Sequence, residues 1–179
     1  PWTILLIILV FYLLLGCLMD SLSMILLTIP IFWPIVQELD FNLVSMVDLQ
    51  AARLDGMIAG GKEIPAALLS EAQAMLANGQ ELSREMTREI KLRGVSEGAL
   101  NRVTIERTAI WFGILVLIVV EVGLITPPVG MNLFVINAMD RKTSMVDTYI
   151  AVLYFVCSDL VRVILLVVFP IITLILLPI

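Results

Sequence analysis

The sequence has no histidine. His-ligated metal centres and Ser-His or Cys-His catalysis are therefore excluded. Cysteine is almost as scarce. Cys17 and Cys157 both sit in apolar runs and read as small buried hydrophobes rather than a redox or metal pair. Charged residues make up 15% of the chain, where soluble domains carry about a quarter. The net charge is −5, so there is no basic excess to neutralise phosphates, and nucleic acid is excluded as a partner. No Gly-rich phosphate loop and no metal-ligand spacing occurs, and no nucleophile–base pair supports an intramembrane enzyme.

What the chain does have is apolar residues. Sixty per cent of its 179 residues are hydrophobic, and the mean hydropathy is +1.05. Disorder, collagen and a disulfide scaffold each require a different composition. An integral membrane protein of few spans remains. The chain opens on Pro1, and residues 2–15 are apolar at once, without a basic leader or a small-residue cleavage site. That does not fit a signal peptide, and the chain reads as a portion of a longer protein.

The hydropathy divides the chain into 1–38, 39–108, 109–139 and 140–179. As a single helix, the apolar stretch 2–36 would be about 50 Å long, against a hydrocarbon core of about 30 Å. Either half alone, 2–15 or 24–36, reaches only about 20 Å. Two short apolar helices around a polar tip at 16–23 fit a re-entrant hairpin, tolerated at membrane depth where it is buried in protein or lines a wet cavity. One tilted span followed by an interfacial helix is the alternative. Residues 109–139 would extend about 46 Å, but Thr126, Pro127, Pro128 and Gly130 fall near the middle. Each proline removes a donor, so Pro127 frees the carbonyl of Gly123 and Pro128 that of Leu124. The expectation is a broken transmembrane helix.

The segment 39–108 is polar. Eleven acidic and eight basic residues fall between 37 and 108. Helices are expected over 65–77 and 80–93, with stops at Asn78-Gly79 and Gly94. Glu81/Arg84 and Glu85/Arg88 are spaced to pair, and Ser96 or Thr104 is placed to cap a later helix. The last segment is a short basic loop (Asp140, Arg141, Lys142) and a membrane helix from about Thr148, punctuated by Pro170 and Pro178. Asp159 and Arg162 at i, i+3 read as a structural ion pair.

Polar groups inside apolar runs are few, and they form two clusters. The first holds Gly16, Asp20, Ser21, Ser23 and Thr28, with Pro30 freeing the carbonyl of Leu26. The second holds Glu121, Gly123, Thr126, Pro127, Pro128, Gly130, Asn132 and Asn137. Unwound carbonyls and helix C-termini attract cations, and helix N-termini attract anions. Two such breaks suit a small anion together with Na⁺. For either break alone, a structural kink explains the residues as well.

The strings GCLMDSLSMILLTIPIFWP (16–34), WFGILV (111–116) and EVGLITPPVGMNLFVI (121–136) resemble the C-terminal portion of the large permease of tripartite ATP-independent periplasmic (TRAP) transporters. The resemblance covers roughly 1–38 and 109–179. It implies an all-α integral membrane fold: a re-entrant hairpin, a broken transmembrane helix and a C-terminal span, with 39–108 as an inserted polar helical segment on the periplasmic side and Arg141 and Lys142 on the cytoplasmic side. It implies Na⁺-coupled uptake of organic acids, such as dicarboxylates or sialic-acid-like compounds, by a multi-pass protein of the bacterial inner membrane. The implied partners are a periplasmic substrate-binding protein, a small membrane subunit, the lipid bilayer and the N-terminal half of the same permease, without which this chain would not transport. No enzymatic activity and no cofactor beyond the coupling Na⁺ is expected. By resemblance, Ser21, Ser23, Gly123, Leu124, Thr126 and Pro127 would bind Na⁺. Asp20, Thr28, Pro128, Gly130 and Asn132 would meet the substrate, with Asp20 also ordering the tip.

The insertion would dock the binding protein or be inert. A different class of function is a membrane scaffold whose soluble helical hairpin binds a partner. A related anion antiporter, independent of a binding protein, is a third reading.

Overall fold

The computed structural model describes residues 1–126, 131–139, 144–175 and 177. Among them there are helices and no strands. The described residues divide into two compact units. One comprises Pro1–Phe41 and Thr108–Ile175, the other Asn42–Arg107 with Leu177.

The first unit opens with a helical hairpin, α1 (Trp2–Gly16) and α2 (Ser21–Val36). At 15 and 16 residues these helices reach about 22–24 Å, short of a bilayer core. The turn between them is stopped by Asp20, whose extended backbone and side chain cap α2. Pro30 and Pro34 lie inside α2 without ending it. The chain is held there by packing on α1, where the buried Thr28 meets the buried Tyr12 hydroxyl at 2.9 Å. Thr28 Oγ1 is also 2.7 Å from the Met24 carbonyl. Threonine has one hydroxyl proton. It donates to Met24, and Tyr12 donates to Thr28.

Helix α6 (Glu97–Ile125) and helix α8 (Met145–Val168) are long and apolar enough to cross a membrane. Half of the most apolar stretch of α6 is buried, whereas most of that of α8 is exposed. Between them lies α7 (Met131–Met139), and α9 (Ile171–Leu174) follows α8. Tyr12, Trp111, Leu115, Val116 and Val120 are among the fully buried side chains. Edge-on aromatic contacts run from Trp2 to Phe41, from Phe41 to Trp111 and from Tyr12 to Phe112. Pro170 leaves the Leu166 carbonyl without its i+4 amide. The Trp111 indole N–H takes that carbonyl at 2.8 Å, so the residue that ends α8 also supplies an anchor for α6.

The second unit holds α3 (Met46–Ala59), α4 (Ala66–Ala77) and α5 (Arg84–Glu89). Leu54, Ala72, Leu82, Ile90 and Leu92 form its core. Buried Gln50 grips the backbone of Leu82 on both sides, accepting from its amide at 2.8 Å and donating to its carbonyl at 3.4 Å. Ser45 and Asp48 form a capping box at the start of α3. All three helices end alike, on a residue at positive φ: Gly61 (69°), Gly79 (72°) and Lys91 (56°). In each, the next amide reaches back to close the last turn, as Lys62 to Met57, Gln80 to Met75 and Leu92 to Thr87.

Several expectations are corrected here. Helix α3 was not anticipated, although Ser45-x-x-Asp48 ahead of an apolar run announces it. The helix expected over 80–93 shrinks to α5, because Ser83 caps it by accepting from the Met86 amide and Lys91 ends it. Glu81 lies outside α5, and among the described residues neither it nor Glu85 makes an ion pair. Helix α6 begins twelve residues before 109. Ser96, rather than Thr104, meets its first turn, accepting from the Ala99 amide at 3.2 Å. Helix α8 begins at Met145 behind the Ser144 cap rather than at Thr148. The Asp159–Arg162 pair forms at 2.8 Å.

Candidate functional site

One glycine of each polar cluster meets the other. Gly16 ends α1, and Gly123 lies in the last turn of α6. A Cβ on Gly123 would lie 2.8 Å from Gly16 Cα and 2.9 Å from the Leu13 carbonyl oxygen. A Cβ on Gly16 would lie 3.0 Å from the Val120 carbonyl oxygen and 3.1 Å from Gly123 Cα. The obstacles are backbone, which cannot swing aside. Here glycine serves for close approach rather than for an unusual dihedral. The hairpin tip is thereby set against the end of α6.

On the hairpin side, the half-buried Ser21 and exposed Ser23 occupy the first turn of α2. Exposed Asp20 accepts from the Ser23 amide at 3.3 Å. Its carboxylate satisfies one orphan donor and places negative charge at the positive end of the helix dipole.

On the α6 side, the Thr126 hydroxyl donates to the Val122 carbonyl. The Gly123 carbonyl, which Pro127 deprives of its i+4 amide, accepts instead from the Thr126 amide at 3.2 Å. The helix therefore closes with a tighter turn than α geometry. The carbonyl keeps a second lone pair. Gly123 is buried, whereas Leu124 and Thr126 are half-buried. Carbonyls and hydroxyls of this kind are hard oxygen donors, suited to an alkali or alkaline-earth cation.

Other expected members are apart from this contact or differently engaged. Thr28 is one-twentieth exposed or less, and its hydroxyl is committed within the hairpin. Asn132 is exposed in the first turn of α7, and Glu121 is exposed on α6. Among the described residues no hydrogen bond joins Ser21 or Ser23 to Thr126. Pro127, Pro128 and Gly130, with Arg141 and Lys142, lie outside the described residues. Tyr12 was not singled out from sequence, because a tyrosine in an apolar helix looks like core until its partner sixteen residues on is known. Asn137 carries a buried side-chain oxygen with no hydrogen-bond partner among the described residues.

The family model of the DctM component of the tripartite ATP-independent periplasmic transporter matches residues 1–172. No curated protein and no solved structure matches the chain.

Proposed function

The chain belongs to the DctM family of TRAP transporter components, and we propose that it is the C-terminal portion of a permease for Na⁺-coupled uptake of organic acids. The family makes it a membrane transport component, and two helices have the length and apolarity to cross a bilayer. The observation that carries the finer reading is the Gly16–Gly123 backbone contact. It sets a hairpin tip bearing the Ser21 and Ser23 hydroxyls beside the end of α6, where proline removes the i+4 partners of the Gly123 and Leu124 carbonyls.

In this reading the hairpin α1–α2 is re-entrant. The carbonyls of Gly123 and Leu124 and the hydroxyls of Ser21, Ser23 and Thr126 form the Na⁺ side, with Pro127 and Pro128 removing the i+4 amides of those two carbonyls and the second lone pair of the Gly123 carbonyl facing the ion. The substrate carboxylate meets the tip amides and Asn132, with Pro128 and Gly130 shaping the loop beside them. Asp20 and Thr28 act through the tip, the first by capping α2 and the second by holding α2 on α1. A periplasmic binding protein delivers the acid, a small membrane subunit braces the permease, and the N-terminal half supplies the opposite wall. The inner membrane is the location that fits these partners.

Thr126→Val in the complete permease tests this. It removes an oxygen donor while keeping the β-branched shape. The concentration of Na⁺ that half-saturates uptake is expected to rise about ten-fold or more, the loss of one charge-assisted contact, with the protein still inserted at wild-type level. An unchanged Na⁺ dependence would remove Thr126 from the ion site. The scaffold reading predicts that outcome, and no observation favours it.

A further inference from the structure

We propose that the inserted unit carries a binding groove for a small multivalent oxyanion, such as a di- or tricarboxylate or a phosphoester, formed by Arg53, Lys62 and Arg93 over Gly56 and Gly60. The inference concerns the second unit alone and does not rest on the transport reading.

The three cations line one groove of about 350 Å³. They come from different places in the chain: the middle of α3, the residue whose amide closes its last turn, and the segment after α5. Gly94, next to Arg93, has φ 78° and backs onto Arg53, whose Nε would be 3.5 Å from a Cβ there. The turn that presents Arg93 is thus shaped around the other guanidinium.

The acidic residues avoid this groove. Between 42 and 107 the sequence has nine Asp and Glu against eight Lys and Arg, yet none of the nine lines it. Among the described residues none of the three cations makes an ion pair. The nearby C-terminal end of α3 contributes about half a negative charge, which three full positive charges outweigh. A mixed-charge surface ordinarily intersperses the two signs. Here one sign is concentrated and left uncompensated.

The floor points the same way. Gly56 in α3 and Gly60, which caps its C-terminal end, stand four residues apart along the groove. Gly56 is inside the helix, where glycine is less stable than alanine. A Cβ on it would meet nothing within 4 Å. No neighbour in the protein requires glycine there, whereas close approach of a ligand does. Two guanidinium forks and one ammonium match the geometry of paired carboxylates or phosphates.

The test is calorimetric titration of the full chain, purified in an uncharged detergent, with citrate and separately with pyrophosphate. Saturable binding of either is expected. Arg53→Gln, Lys62→Gln and Arg93→Gln should each weaken it about ten-fold, while Arg84→Gln, an exposed cation outside the groove, leaves it unchanged. Gly56→Leu should fill the floor and weaken binding without lowering the thermal unfolding temperature. No saturable binding of either anion overturns the proposal. So do equal losses across all four charge variants, which would mark diffuse electrostatics, or saturation by phosphatidylglycerol micelles only, which would mark a lipid surface.

Discussion

Gly123 shows how much rests on a missing methyl group. Its neighbours are the backbone of Gly16 and the Leu13 carbonyl, so any side chain must push α1 and α6 apart. Overpacking of this kind costs about 1–3 kcal/mol. Gly123→Ala is therefore expected to lower the thermal unfolding temperature of the chain in detergent, which differential scanning fluorimetry reads directly. A melting temperature equal to that of the wild type would mean that the two helices do not touch there. Both glycines stood out in the sequence, each within a polar cluster. Their contact did not, since 107 residues separate them and no periodicity links them. Thr28 shows the converse. Its hydroxyl in an apolar run suggests a ligand contact, but the Tyr12 hydroxyl and the Met24 carbonyl account for its hydrogen bonding.

At the scale of elements, starts and stops explain most of the differences between expected and observed helices. Asn78-Gly79 was readable as a stop because glycine takes positive φ freely. Lys91 takes the same conformation at φ 56°, a position where lysine carries no such signal. That is why α5 is shorter than the residue propensities suggest. Replacing Lys91 with glycine relieves an unfavourable left-handed residue worth about 1 kcal/mol. Lys91→Gly is expected to shift the urea midpoint of the second unit upward, followed by hydrogen exchange of the α5 amides. A downward shift would show that Lys91 makes a stabilising contact larger than its strain. Prolines are similarly two-sided. Pro30 and Pro34 lie within a continuous α2, whereas Pro170 ends α8 and leaves the Leu166 carbonyl for the Trp111 indole. Sequence shows which carbonyl a proline frees, and only the packing shows what takes it.

Across the whole molecule, class and family were legible because they rest on bulk properties and on one dense string. The apolar content, the lack of histidine and the EVGLITPPVGMNLFVI segment all bear on a membrane transport component, and the DctM match over 1–172 agrees. The composition changes after 38 and after 108, whereas the compact units change over between Phe41 and Asn42 and between Arg107 and Thr108. The helices do not follow the composition, since α6 starts in polar sequence and runs on without a breaker. The groove of Arg53, Lys62 and Arg93 was not legible, because its members are up to forty positions apart and each alone looks like an ordinary surface charge. The central claim is that the Gly16–Gly123 contact belongs to a Na⁺-coupled organic-acid site. Its most direct test is uptake of radiolabelled organic acid into proteoliposomes holding the complete permease and its small subunit, with the binding protein outside. An inward Na⁺ gradient is expected to drive accumulation that collapses when K⁺ replaces Na⁺. Accumulation that proceeds equally in K⁺ would contradict the account.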